Sequence, residues 1–482
     1  MTDEPRELVR GLDLPASLAI VVGVVIGTGV FLKAAVITQL VGTPLLALAA
    51  WVVAGLLSLT GALTYAELGA MLPNTGGEYV FLGVAYGRVM AFQYGWMRIV
   101  IGASASAAVA ASFGVFFSTL VPSAGPWATA HVSLFGHSGR WPFGEQQLAA
   151  LAALAFLAGV NCIGVVAGGR TQMGLAVTKV VAVLVVIGGV FLAARTGSWS
   201  HFASAPAAAP PTTSAFGAAV IAAMWAYTGW SYLPLAAGEI RDPGRTLPRA
   251  IIGGIVIVIL LYVGINVAYF YALPVADVAS ANSTRFPLAP AVATKAVSTF
   301  LSGSAGHLIT AVFLLSALGT LNGSMLTTPR VSYAMARAGQ FFRPFAMLGR
   351  RSRTPVVAII ANTIGAGILA ATGTYDQLTD VVVFSYAIFY VFTTGALFIL
   401  RRREPDRPRP YRTLGYPFVP AAFAVTSFWL VLTMVRTNPG EAWLAAALLA
   451  LGVPVAWSVR RLNTSATAPQ GSRDEQGAAA QD

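Results

Sequence analysis

Val21-Val22-Gly23-Val24-Val25-Ile26-Gly27-Thr28-Gly29-Val30-Phe31 decides how the chain is read, because it lies in the middle of the first long apolar run. In lipid every backbone polar group needs an internal partner, and two glycines beside a threonine weaken the helical ladder that supplies it. The stretch therefore reads as a break in a membrane helix. The second half-helix then begins with free N–H groups, which suit a small anion such as a carboxylate. A second reading takes Gly23 and Gly27 as a GxxxG face for helix packing.

Composition sets the frame around it. Of 482 residues, 56% are hydrophobic and 10% charged, which fits a polytopic membrane protein and leaves no soluble domain over. The single cysteine, Cys162, lies in an apolar span, so neither a disulfide framework nor a Cys-based metal site is expected. Met1 to Arg10 is charged and lacks a short apolar core with a cleavage site, so the first span is read as retained.

A membrane helix needs ~20 mostly apolar residues. Twelve such spans fit, at 15–38, 44–70, 89–121, 146–166, 170–194, 214–238, 247–273, 304–332, 355–373, 377–400, 414–436 and 441–460. The chain divides into an amino-terminal segment 1–14, five spans in 15–200, five in 201–402, two in 403–462 and a flexible tail 463–482. The loop Ala203 to Thr213, rich in Ala and Pro, also reads as flexible. An even number of spans puts both termini on one side.

The net charge of +12 is explained by where Lys and Arg fall. One side carries Arg6, Arg10, Arg88, Arg170, Arg241, Arg245, Arg249, the run from Arg330 to Arg353, the cluster Arg401 to Arg412, and Arg460, Arg461 and Arg473. The other has Lys33, Arg140, Arg195, Arg285, Lys295 and Arg436. The first side is expected to be cytoplasmic, and the charge is a topology signal rather than a nucleic-acid footprint.

Spans six to ten can be laid against one to five, and five is odd, so the two halves would be inverted in the membrane. Span six then places Met224-Trp225-Ala226-Tyr227-Thr228-Gly229-Trp230 opposite the first break. Paired interruptions at matching places point to a binding site at the bilayer midplane. The expected fold class is an all-α membrane protein of 12 transmembrane helices with helices 1 and 6 broken.

Several charges lie deep. Lys179 sits about nine residues into span five from Arg170, hence ~13 Å along the helix. It reads either as a stem snorkelling to the surface or as a functional cation. Arg98 is similarly placed in span three, with Glu67 or Glu78 as partner in a latch or a static ion pair. Glu239 with Arg241, Arg245 and Arg249 is either a solvated helix end or a gate network. Pro73 to Tyr79 breaks between spans two and three as a turn or re-entrant piece. His131, His137, His201 and His307 fall in or near loops on the far side, so the clustered titratable groups of an enzyme are missing. No polar stripe marks a channel.

The segments Gly27-Thr28-Gly29-Val30-Phe31, Gly61-Ala62-Leu63-Thr64-Tyr65-Ala66-Glu67-Leu68-Gly69, Ala226-Tyr227-Thr228-Gly229-Trp230, Gly238-Glu239-Ile240-Arg241-Asp242-Pro243, Thr246-Leu247-Pro248-Arg249-Ala250 and Leu321-Asn322-Gly323-Ser324 resemble those of the amino acid-polyamine-organocation superfamily. Within it the chain most resembles the L-type amino acid transporters and their bacterial relatives. The resemblance runs in order over nearly the whole chain. It implies the LeuT-type 5+5 inverted repeat followed by two more helices.

It also implies site residues. An amino acid would lie between the breaks, its carboxylate on the N–H groups of Thr28, Gly29 and Val30 and the Thr28 hydroxyl. Its ammonium would meet carbonyls at Val25, Ile26 and Trp225 to Thr228, so Gly27, Ala226, Tyr227 and Gly229 belong to the same shell. Trp225 stands where the family has an aromatic gate. Ser104 and Ser106, with Thr320 and Ser324, are candidates either for the pocket lining or for helix bridging. Lys179 matches a lysine that in some members replaces sodium, and it is a candidate proton carrier.

Spans one, three, six and eight hold almost no acidic residue near mid-depth, which favours neutral substrates. The resemblance implies sodium-independent exchange or proton coupling, and no cofactor or metal is expected. A cationic amino acid or polyamine carrier is the alternative, with Asp376 and Asp380 as its candidates. Animal members that pair with a heavy chain carry a cysteine between spans three and four. Pro122 to Glu145 has none, so that disulfide is not expected, and a bacterial inner membrane is the expected location.

Overall fold

The computed structural model describes residues 7–121, 127–134, 137–203, 212–283, 285–286, 289–301, 303–372, 375–437 and 439–465. The expected flexible loop and tail therefore lie almost wholly outside the described residues. The elements in chain order are α1 (Leu14–Val25), α2 (Gly29–Val41), α3 (Pro44–Met71), α4 (Glu78–Tyr86), α5 (Arg88–Ser118), β1 (Ala128–Leu134), β2 (His137–Phe143), α6 (Glu145–Ile163), α7 (Val165–Ala193) and α8 (Thr213–Ala226). A 3-10 segment, Trp230–Glu239, precedes α9 (Pro243–Ala272), α10 (Val275–Ala279), α11 (Val292–Ser298), α12 (Ala305–Thr327), α13 (Pro329–Arg337), α14 (Val356–Thr372), α15 (Tyr375–Arg403), α16 (Phe418–Thr437), α17 (Pro439–Ala450) and α18 (Gly452–Ser465).

Among the described residues, nine helices are long and apolar enough to cross a membrane, or ten with the bent pair α1 and α2 taken as one span. The chain is a multi-pass membrane protein. Its mostly helical fold has one exception to the all-α expectation, since β1 pairs antiparallel with β2 from Ala128 opposite Phe143 to Leu134 opposite His137. That stretch alternates polar Thr129, His131 and Ser133 with smaller or apolar residues, a period-two pattern too short for a span.

The first span is interrupted where the glycines fall. Asp13 caps α1 through a 3.0 Å bond from the Ala16 N–H, with a proline in the first turn. The helix stops at Ile26 (φ −70°, ψ 82°), and α2 starts at Gly29, bent by 42° from α1. Span six breaks as well. α8 ends at Ala226 with Tyr227 as its cap, and Gly229 adopts φ +119°, which only glycine takes without strain. A Cβ at Gly229 would lie 2.7 Å from Val24 Cγ1, so the two breaks touch there.

Helix α1 runs beside the 3-10 segment and α2 beside α8, while α9 packs along both α1 and α3. The face at which α1 begins and α3 ends also carries the start of α5 and the end of α15, with their arginines. On that face Glu239 and Arg330 form a fully buried bidentate pair, Nε to Oε2 2.7 Å and Nη2 to Oε1 3.1 Å. Glu239 is thus neither solvated nor paired with its neighbours Arg241, Arg245 and Arg249 among the described contacts. Leu12 bridges Ile240 in parallel, tying the chain ahead of α1 to the 3-10 segment. The Pro73 to Tyr79 turn docks there too, with the Gly76 N–H donating to the Leu235 carbonyl at 2.9 Å.

Candidate substrate site between the two broken helices

A cavity of about 130 Å³ opens beside the breaks. Val25, Gly27, Thr28, Gly29, Ser106, Trp225, Ala226, Thr228, Gly229, Thr320 and Ser324 line it, so eleven expected residues from the two breaks, α5 and α12 converge. Ile26, Val30, Tyr227 and Ser104 do not line it. Val30 is buried in the core and Tyr227 packs against Trp51 and Tyr262. Ser104 bonds back to the Val100 carbonyl at 3.4 Å, since in a helix its hydroxyl can reach the preceding turn. Ser106, named beside it, does line the cavity and meets Ser324 at 2.9 Å.

The hydrogen bonds at the first break follow from what a broken helix leaves over. The carbonyls of its last turn lose their intrahelical donors, and buried ones need replacements. Lys179 supplies two of them, Nζ lying 2.6 Å from the Gly23 oxygen and 2.8 Å from that of Ile26, with Thr320 Oγ1 at 3.5 Å. The lysine is 1% exposed, which removes the snorkelling alternative. It joins α7, α1 and α12.

Ser316 Oγ gives Ile26 its second donor at 2.9 Å, and the single Tyr262 Oη proton goes to Val25 at 2.8 Å, with the Ala226 oxygen at 3.1 Å as its alternative acceptor. Val25 also accepts from the Gly27 N–H at 2.7 Å. A carbonyl oxygen has two lone pairs, so Val25 and Ile26 are full. Val24 accepts only from Thr320 Oγ1, at 3.3 Å, and Ala226 only from Tyr262 among the described residues. Both line the cavity with an acceptor site to spare.

At the start of α2, Thr28 makes no side-chain cap. The first N–H groups of that helix have no intrahelical acceptor, and Thr28 and Gly29 face the cavity. The half-helix thus presents a positive end without any charged side chain.

Sequence reasoning missed the far wall and the floor. Val109, Ser112, Val382, Val383 and Leu430 stand toward the face opposite the arginines, beside Trp225. Tyr232 and Tyr386 close the other end, their hydroxyls 3.2 Å apart. Behind them Arg98 donates to Tyr386 Oη at 2.6 Å and Thr328 Oγ1 at 3.0 Å, with its guanidinium carbon 4.4 Å from the Tyr232 ring centre. Arg98 makes no ion pair with Glu67 or Glu78 among the described residues. Glu67 instead accepts from Arg401 at 2.9 and 2.6 Å and from the Thr413 N–H, holding the chain after α15 against α3. Ser316, Thr320 and Ser324 recur every fourth residue, the one signal in the sequence that could have added Ser316. The side chains of Asp376 and Asp380 lie outside the described residues.

The comparisons with known proteins agree with this architecture. A family model described as "Amino acid permease" matches residues 12–454. The serine/threonine exchanger SteT of Bacillus subtilis is 32% identical over 470 residues, covering 96% of this chain and all of that protein. The human cystine/glutamate transporter is 28% identical over 452 residues, covering 94% of this chain and 85% of its own length. Human large neutral amino acids transporter small subunit 2 is 29% identical over 460 residues, with 93% and 80% covered. These relatives are transporters rather than enzymes, and the chain belongs to the amino acid permease family of the amino acid-polyamine-organocation superfamily, among its L-type-like members.

Proposed function

We propose that the protein exchanges small neutral amino acids across the cytoplasmic membrane by alternating access, without sodium. The carboxylate sits on the uncapped start of α2 at Thr28 and Gly29, and the ammonium on the spare acceptor sites of Val24 and Ala226. This revises the expected ammonium partners, because lone-pair counting leaves Val25 and Ile26 no capacity. Lys179 fills the position a sodium ion holds in sodium-coupled relatives of this fold. The α8 break and helix α14 complete a twelve-span, 5+5 inverted arrangement with both termini cytoplasmic, so the cavity faces outward and the arginine-rich face is closed.

The observation that carries the reading is the cavity itself, with backbone donors at the first break, backbone acceptors at both, and no acidic side chain in its described lining. Its size narrows the substrate. A cavity near 150 Å³ takes a ligand of about six heavy atoms, so about 130 Å³ suits serine, threonine or alanine better than leucine or phenylalanine. The name of the Bacillus relative points the same way. Within that described lining no counter-charge awaits a cationic side chain, which disfavours the cationic alternative.

Reconstituted protein should take up labelled serine or threonine several-fold faster when the vesicles are preloaded with unlabelled substrate, equally in sodium and choline buffers. Absolute sodium dependence, or uptake indifferent to internal substrate, would contradict the exchange reading. Trp225→Ala should admit larger side chains, since one or two methylenes in an apolar pocket are worth ~1–3 kcal/mol. Leucine should then compete with serine uptake about tenfold better than in the unaltered protein; unchanged competition would remove Trp225 from the pocket.

A further inference from the structure

Glu78, the first residue of α4, has an unusual environment for a carboxyl group. It is 3% exposed, and its Oε2 has no hydrogen-bond partner. The hydroxyls of Tyr65 on α3 and Tyr94 on α5 face it and favour its ionised form, yet neither closes a hydrogen bond of good geometry. Arg98, also on α5, adds an attractive charge but spends its donors on Tyr386 and Thr328. Tyr390 and Tyr386 of α15 and Tyr232 of the 3-10 segment complete the cluster around Glu78 and Arg98. Beyond α13, Gln340 bonds Tyr79 at 2.8 Å, with Arg88 near that ring.

A buried carboxylate short of donors is costly, and a proton on it removes most of the cost. The location gives the proton a consequence. Gly76 and Gly77, just before Glu78, lie against Leu235 and Pro234, where a Cβ on Gly77 would come within 2.9 Å of Leu235 Cδ2. The same 3-10 segment supplies Tyr232 to the cavity floor. We propose that Glu78 is a proton-binding site of the closure on the arginine-rich face, taking up a proton when the Trp230–Glu239 segment seats against it and releasing it to that face when the segment lifts. This rests on the alternating-access reading, and it couples the proton to the gate rather than to Lys179.

The sign follows from linkage. Burial pushes the Glu78 carboxyl up to about 7 in the closed state, while hydration on opening returns it to the ordinary carboxylate range. The closed state is therefore favoured most at low pH, and the advantage is lost as pH rises toward 7, by up to about tenfold per unit in the closed-to-open ratio. Hydrogen exchange of the full-length, substrate-free protein tests this without relying on transport. After correction for the intrinsic rate, segments 76–86 and 230–239 should lose protection several-fold between pD 5 and 7.5, and Glu78→Gln should flatten the profile. Tyr94→Phe removes a hydroxyl that favours the carboxylate and should move the midpoint upward. An unaltered profile in Glu78→Gln, or no midpoint in the natural protein, overturns the assignment. Should Glu78→Gln fail to fold, a Tyr94→Phe profile identical to the natural one overturns it instead. A protein that shows the profile yet carries no amino acid would sink the transport reading and leave the proton site standing.

Discussion

Lys179→Ala should abolish exchange, lowering the initial rate in proteoliposomes at least a hundredfold. The ammonium is the donor that the Gly23 and Ile26 carbonyls lost when the helix broke, at 2.6 and 2.8 Å. A charged hydrogen bond contributes ~1.5–3 kcal/mol, and truncation leaves both buried acceptors short at once. The expected loss of order at the break is therefore about 3 kcal/mol or more, a factor above a hundred. Arginine should not rescue it. The lysine stem passes over Gly319, where even a Cβ would lie 2.6 Å from Lys179 Cε, so a planar guanidinium has no room to turn. Unchanged serine uptake in Lys179→Ala would remove the residue from the account, whatever the effect on the melting temperature.

Gly29→Val should eliminate substrate binding while leaving the fold in the membrane. A Cβ at Gly29 would sit 3.0 Å from the Ala226 Cβ and 3.1 Å from its Cα, tighter than nearly all real contacts. Valine adds two further methyl groups beside the N–H groups proposed to hold the carboxylate. Overpacking of this kind costs ~1–3 kcal/mol even before the anion cradle is filled, or about ten- to hundredfold in affinity. Gly29→Ala should fall between the two, since one carbon can be met by a small shift of Ala226. Ligand-induced stabilisation read across glycine, alanine and valine at this position should decline in that order. Wild-type stabilisation in Gly29→Val would mean that the substrate lies elsewhere.

Both breaks were legible because glycine and threonine in mid-span contradict a continuous helix, and two such contradictions in register are hard to attribute to packing. Lys179 was legible for a related reason, being a charge where lipid tolerates none. The floor was not. Tyr232 and Tyr386, like Tyr262 behind the breaks, are aromatic residues in apolar surroundings, and nothing in their neighbours distinguishes a tyrosine that serves a broken-helix carbonyl from one that merely packs. The partners of Glu67, Arg98 and Glu239 were hidden for another reason. Each is joined to a residue dozens to hundreds of positions away, Glu67 to Arg401 and Glu239 to Arg330. Charge near charge in sequence, as in Glu239 with Arg241, pointed to the wrong pair. The expected span boundaries fell within about five residues of the observed helices, and arginine was no sure mark of a loop, since α7 starts at Val165 and contains Arg170. The hairpin β1–β2 escaped notice because its period-two alternation is short and lies in a loop between long spans.

Binding by the two breaks makes a demand that few other sites would make, since both charged ends of an α-amino acid must be present together. The direct measurement is thermal stabilisation of the purified protein by L-serine, its methyl ester, its decarboxylated amine ethanolamine, and its deaminated acid 3-hydroxypropionate, at equal concentration. Serine alone should raise the melting temperature, with the three analogues indistinguishable from buffer. Equal stabilisation by the ester or by either truncated analogue would show that one break suffices or that neither holds the ligand.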